Sequence, residues 1–600
     1  MAARLGAAVL VALSLSSAGC AHRGGAPAPA GPAQAVAGEA TRIGAVAYED
    51  DFLEARLVYQ ALPTTAPERP ALRAKLLHYL LDPVLAMKVD EIRRETRELE
   101  SDDIYDAVFS SFRDALGLFE PADLWASPPA LAPAEVAMLR PAAEMVLALF
   151  SPRGGDQQAV LALAALTTFE PGQPRWAERL DQVITWADEE SAFDEGNGPR
   201  RGGGSSADAL ESALGDWPAP VVVKRLDALY LARQKRLASA LHQPPRTDSA
   251  RRALGELLLA HGEEMQRAVT SMAGIYLRAG RIGDAAARTA AMAGGEGDDP
   301  ELRALLAAAA KPGAAASDAL ALARRFLPRV DFLGGTASDS PDPVVAFRVL
   351  EAGLAAHPSD PELLILSGHV ARLLSSYFLA IRRLEEAEAV LESNPAAREL
   401  QGKISAELIE LYFVRLRLRL DPERDAPAYA EADDLKRRSA ETRRRFSNTE
   451  MKVRDADIDF ELARSYVNAG MIDRAEPLFL RARQEGEPTA EVTVELANLA
   501  LKRGDPGRAT RIVREGIDAL RAKGAGQDTI GSVEGRARLD RLLGDTFDAG
   551  GDRDGASTAW RGSLIGWERL MIEHLRRKNL GESAEAAVEV GRLLYLLGRH

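Results

Sequence analysis

The feature that most constrains this chain is a recurrence near its C-terminus. Residues 460–482 read FELARSYVNAGMIDRAEPLFLRA, with Leu462-Ala463, Tyr466, Gly470, Ala475, Phe479 and Ala482 at set offsets. Thirty-four residues on, the pattern returns as Leu496-Ala497, Ala500, Gly504, Ala509 and Val513. A third copy follows an insertion, as Leu543-Gly544, Phe547, Gly551, Ala556 and Trp560. A fourth, truncated copy shows Val590-Gly591, Leu594 and Gly598. A unit this short cannot bury its own apolar face, so recurring units must stack on one another to form a core. The residue types predict two antiparallel helices per unit. The small residue (Ala463, Ala497, Gly544) lets the second helix come close, and the glycines end the first helix in a left-handed conformation cheap only for glycine.

Composition agrees with helices throughout. The chain has 600 residues, 46% hydrophobic but only 6% aromatic, and its apolar residues are mainly Ala and Leu, which lose little side-chain entropy in a helix. No region shows sustained period-two alternation, so a β domain is not expected. A length of 600 residues implies several domains or one long solenoid. The formal net charge of -14 repels phosphate backbones and argues against a nucleic-acid partner. The basic clusters Arg437-Arg438 and Arg443-Arg444-Arg445 sit among acids and read as solvated helix faces.

The 34-residue pattern resembles the tetratricopeptide family. The resemblance implies an all-α fold: a helical-hairpin solenoid coiled as a right-handed superhelix, here after a disordered N-terminal tether. Weaker copies stand upstream, at Met272-Ala273, Tyr276, Gly280 and Ala285, in AFRVLEAGLAAHP over 346–358, and across 361–395. The chain departs from the family where a first-helix aromatic is usual: Asp459, Thr493 and Asp540 stand there. In that family the first helices line a groove that holds peptides or partner helices. The matching positions by phase are Arg464, Asn468, Asn498, Lys502, Arg541 and Asp545. Phe460 and Glu495 replace residues that some members use to clamp a C-terminal carboxylate, so that mode is disfavoured.

At the other end, MAARLGAAVLVALSLSSAGC carries a positive Arg4, an uncharged apolar stretch from Leu5 to Leu15, and small residues leading into Cys20, the only cysteine. The stretch is too short for a permanent membrane helix and has signal-peptide length. It resembles the lipobox of bacterial lipoproteins, with Ser17 where Leu is usual. The resemblance implies cleavage before Cys20 and acylation of that residue. Ala21, rather than Asp, then implies sorting to the outer membrane. Residues 21–45, rich in Ala, Gly and Pro, read as a tether that cannot bury a core.

The expected organisation is a signal peptide over 1–19, a lipid-anchored linker over 20–45, an N-terminal helical domain over 46–195 and a flexible loop over 196–206. A helical region with one repeat-like unit follows over 207–332, then repeat-like hairpins and long helices over 343–455, and the C-terminal array over 456–600. Leu72, Leu76, Leu77, Leu80 and Leu81 predict a helix interrupted near Pro83 with His78 at its core or boundary; residues 158–167 predict a buried one.

No catalytic motif stands out: the chain lacks HExxH, GxSxG, GxxxxGK[ST] and paired CxxC. The Gly202–Gly204 run has no following Lys, and Asp552-Arg553-Asp554-Gly555 reads as an inter-helix turn rather than half a calcium loop. No catalytic residue, metal site or cofactor is assigned. The expected function is a non-catalytic, lipid-anchored interaction scaffold facing the periplasm, with envelope proteins or peptides as partners. The alternative is an envelope enzyme with its active site in 46–330.

Overall fold

The same left-handed residue punctuates hairpin after hairpin. In a computed structural model of the chain, Gly470, Gly504 and Gly551 have φ of 74°, 75° and 83°. Each closes its first helix with a reaching-back bond, the next amide donating to the carbonyl of Tyr466, Ala500 or Phe547 at 2.8–2.9 Å. Five residues on, Ala475, Ala509 and Ala556 are fully closed from solvent, which is where the second helix crosses the first.

The structure describes residues 52–598 apart from 64–65, 100–102, 127–130, 151–155, 192–205, 242–270, 292–298, 329–340, 420–424, 486–489 and 524–528. Cys20, the 21–45 tether and nearly all of the 196–206 loop lie outside the described residues. The described residues are almost wholly helix and turn, with no strand among them, and none of their helices is long and apolar enough to cross a membrane. The chain divides into two compact units between Pro395 and Ala396, a division that falls inside the 343–455 segment.

In the first unit, helix Gln157–Phe169 is buried along its whole length from Ala159 onward and touches Pro133–Leu149, Pro174–Ser191, Ser206–Asp216 and Pro220–Leu241. Further on, helices from Ile282–Ala290 to Tyr377–Leu391 each pack on their successor, as in a solenoid. Hairpin Pro361–Leu373/Tyr377–Leu391 is a full repeat: a Cβ on Gly368 would sit 2.9 Å from Leu384, and Ala380 is fully buried. Its left-handed residue is Ser375, φ 57°.

The unit's first described helix, Phe52–Ala61, packs on its last, Tyr377–Leu391. Arg382 donates to the Ala61 carbonyl, and Ser376 Oγ to Gln60 at 3.1 Å. Beside this seam lies a polar network. Glu120 accepts from Arg69 at 2.9 Å and from Arg348, and Arg73 reaches Glu135 at 2.7 Å. Burial pushes the Glu120 carboxyl up, but Arg348 and Arg69 outweigh it and hold the group below the ordinary glutamate value.

Two expectations are corrected. Helix Arg69–Leu85 runs through Pro83, because a proline in the last turn removes only one bond at an end that already frays. His78 points to solvent, its side chain 61% exposed and its Nδ1 3.3 Å from Asp82.

In the second unit, each helix again touches the next, from Arg398–Arg419 to Leu580–Leu596. Three hairpins, Asp455–Asn468/Ile472–Glu485, Ala490–Lys502/Pro506–Lys523 and Ile530–Ala549/Arg553–Arg576, precede the terminal helix Leu580–Leu596. The insertion before the third copy leaves the turn intact and lengthens Ile530–Ala549 to 20 residues; the second helix that follows, Arg553–Arg576, has 24. Polar groups take the missing aromatic's place. Asp459 is buried between Lys436 and Arg481. Thr493 fills space left by Gly516, where a Cβ would lie 2.4 Å from its Cγ2. The basic cluster pairs locally, with Arg437 and Arg438 on Asp434 and Arg443 on Asp455.

Candidate partner-binding cleft

The third hairpin and the terminal helix leave a cleft of about 850 Å³ between them, reaching Val494 and Asn498 on the second hairpin. Its floor is apolar because the terminal helix turns Ala586 inward, onto the cluster built by Trp560, Leu564, Trp567 and Leu570. Leu542, Trp567, Leu570 and Ala586 line the cleft and are each at most 7% exposed. Trp567 keeps its Nε1–H without a hydrogen-bond partner among the described residues.

Charge of both signs forms the rim. Glu589 bridges Arg541 on the facing helix and Arg592 one turn along at 2.7 Å. His574 Nδ1 lies 2.7 Å from Glu582, and Arg538 pairs with Glu534 at 2.5 Å. Asp545 accepts from Trp560 Nε1 at 2.9 Å; burial raises its carboxyl above the ordinary aspartate value despite that bond and the nearby Arg541. Among the described residues no group of three His, Cys, Asp or Glu could hold a metal ion. Asp552 caps helix Arg553–Arg576, accepting from the Gly555 amide at 2.9 Å, which accounts for the acidic turn.

Of the six groove positions read by phase, the structure brings Asn498, Arg541 and Asp545 to the cleft. Arg464, Asn468 and Lys502 lie outside its lining, exposed on the first helices of the preceding hairpins. Arg464 Nη1 is 3.5 Å from Glu461, and its Nε is 3.9 Å from Glu495. Sequence reasoning missed Trp567, Leu570 and His574, which come from a second helix, and Glu582, Glu585, Glu589 and Arg592 from the truncated copy. The available signal was the length of Arg553–Arg576, which carries a second helix past the turn's reach and against the next first helix.

No family model matches the chain. No curated protein matches it either. Matching solved structures include YrrB, described as a TPR protein with an unusual peptide-binding site, at 14% identity and TM-score 0.22 over 38% of this chain and 97% of that one. The APC/C hetero-tetramer Cut9–Hcn1 matches at 12% identity and TM-score 0.22, over 94% and 95%. Yeast Tom70 matches at 12% and 0.21, over 82% and 97%. Identities and superpositions this low say nothing of what this chain binds; the hairpin repeat stands on the chain's own geometry.

Proposed function

We propose that this chain is a non-catalytic protein–protein interaction scaffold. The cleft carries the reading: an apolar floor within a rim of opposed charges suits a partner helix or peptide. The partner would seat apolar side chains on Trp567, Leu570 and Ala586 and exchange ion pairs with Arg541, Glu589 and Arg592. Such a site selects its partner by where charge of each sign falls along the segment.

We further propose its address. Cleavage before Cys20 and acylation there would anchor the chain at the outer membrane, with 21–45 as the tether and the helical units in the periplasm. Each buried methylene of the acyl chains adds about 0.8 kcal/mol of membrane affinity. The sorting rests on Ala21, and the role is in an envelope assembly, secretion or motility machine.

The test is affinity purification from membranes of the wild type, Cys20→Ala and Arg541→Glu. Radiolabelled palmitate should enter all but Cys20→Ala. Envelope proteins should co-purify with the wild type and be depleted by Arg541→Glu. Recovery of free, soluble, unlabelled protein alone would sink both parts, and a labelled protein whose partners ignore Arg541→Glu would sink the cleft.

A further inference from the structure

The ion pairs of the cleft leave two charges over. On Ile530–Ala549, Arg538 is met by Glu534 and Arg541 by Glu589. Glu582 lies against His574, and Asp545 accepts from Trp560. Glu585, exposed in the lining, has no ion pair among the described residues. Arg592, its side chain 61% exposed, pairs among the described residues with Glu589 alone, the carboxylate that Arg541 already holds.

Glu585 and Arg592 stand two turns apart along one side of Leu580–Leu596, a separation of about 10 Å. A partner helix lying along the cleft can meet both, because its own side chains return to one face at the same spacing. Between its two charges, the residues three and four positions on face the same way, over the floor of Trp567, Leu570 and Ala586. Direction follows from the dipoles. A helix favours acids toward its N-terminus and cations toward its C-terminus. A partner with its acid on Arg592 and its cation on Glu585 therefore runs antiparallel to Leu580–Leu596, which also sets opposite dipole ends together.

We propose that the occupant of the cleft is an amphipathic helix of another protein, antiparallel to Leu580–Leu596. It carries an acidic residue, apolar residues three and four positions on, and a cation seven positions on. This assignment rests on the cleft being the partner site. With the two charges exchanged, such a helix meets like charge at both ends, or turns round and sets its dipole parallel to those of the lining helices.

The probes are two labelled synthetic helical peptides on an alanine background. One has Glu, then Leu three and four positions on, then Lys seven positions on; the other has Glu and Lys exchanged. Fluorescence anisotropy with the full, unlipidated chain at low salt should show the first bound about 10-fold tighter, the size expected of two rim pairs made rather than opposed. The difference should shrink in high salt. Glu585→Lys combined with Arg592→Glu, at two exposed positions, should reverse the preference while leaving the circular dichroism unchanged. Equal affinities in the wild type, or a preference that the double substitution does not reverse, would overturn the proposal. Arg541→Glu tests the cleft apart from the spacing. If it weakens both peptides and the wild type shows no preference between them, the cleft stands and the stated spacing is wrong. If none of these substitutions touches binding, the cleft reading fails as well.

Discussion

Gly544→Ala sets two known effects against each other inside one hairpin. Mid-helix in Ile530–Ala549, alanine in place of glycine contributes about 0.5–1 kcal/mol through the backbone entropy it no longer loses. The new Cβ, however, would sit 2.3 Å from Trp560 Cδ1, 2.4 Å from Nε1 and 2.9 Å from Cγ, where carbon contacts are best at about 3.5–4.0 Å. The indole cannot step aside freely. It is 7% exposed, and its Nε1–H is tied to Asp545 at 2.9 Å, one residue along the same helix. Overpacking of this kind costs about 1–3 kcal/mol, and weakening the indole bond adds about 1 kcal/mol. The net expectation is a loss of about 1–3.5 kcal/mol, or an open population raised about 5- to 400-fold. Hydrogen–deuterium exchange reads this locally: peptides from 530–576 should exchange faster by that factor, and those from 52–395 should not change. Unchanged or slower exchange over 530–576 would mean that helix propensity outweighs the clash and that the close approach at Gly544 is not what shapes the hairpin.

Glu120→Gln should destabilise the first unit by about 2 kcal/mol at neutral pH, since Arg348 and Arg69 would lose their shared carboxylate. Because the carboxyl titrates below its ordinary value in the folded chain, that stability is present above the ordinary glutamate range and is lost as pH falls through the depressed value. Urea melts of wild type and variant should therefore converge in acid, and a gap independent of pH would refute the account. Ser375→Gly should stabilise by about 0.5–1 kcal/mol, relief of a left-handed serine exceeding the added freedom of the unfolded chain; a lower thermal midpoint would contradict it. Asp552→Ala removes the bond to the Gly555 amide and should cost about 1 kcal/mol in chemical denaturation, whereas no change would mean that the cap contributes nothing.

The hairpins were legible because their requirements are local: a small residue, a left-handed residue seven positions on, and an alanine five beyond that. The hairpin at 361–391 obeys the same spacing through Gly368, Ser375 and Ala380, and its turn escaped notice only because serine stands where glycine is usual. The cleft was half legible. Helical phase points to Asn498, Arg541 and Asp545, but no one-dimensional pattern says that a 24-residue second helix brings Trp567 and His574 to the same place. His78 was misplaced because the leucines around it, not its own position on the helix, set the expectation. The network around Glu120 left no trace at all in the sequence, since Arg69 and Arg348 lie 51 and 228 residues away and share no periodicity.

The seam between Phe52–Ala61 and Tyr377–Leu391 also sets a timetable. Arg382 and Ala61 are 321 residues apart, so the whole stretch between them must emerge before the seam can close. Through that interval Leu57, Val58 and Ala61, buried in the finished unit, lack part of their cover. The first described helix is thus among the last to be completed, and the beginning of the unit rather than its end stays open longest.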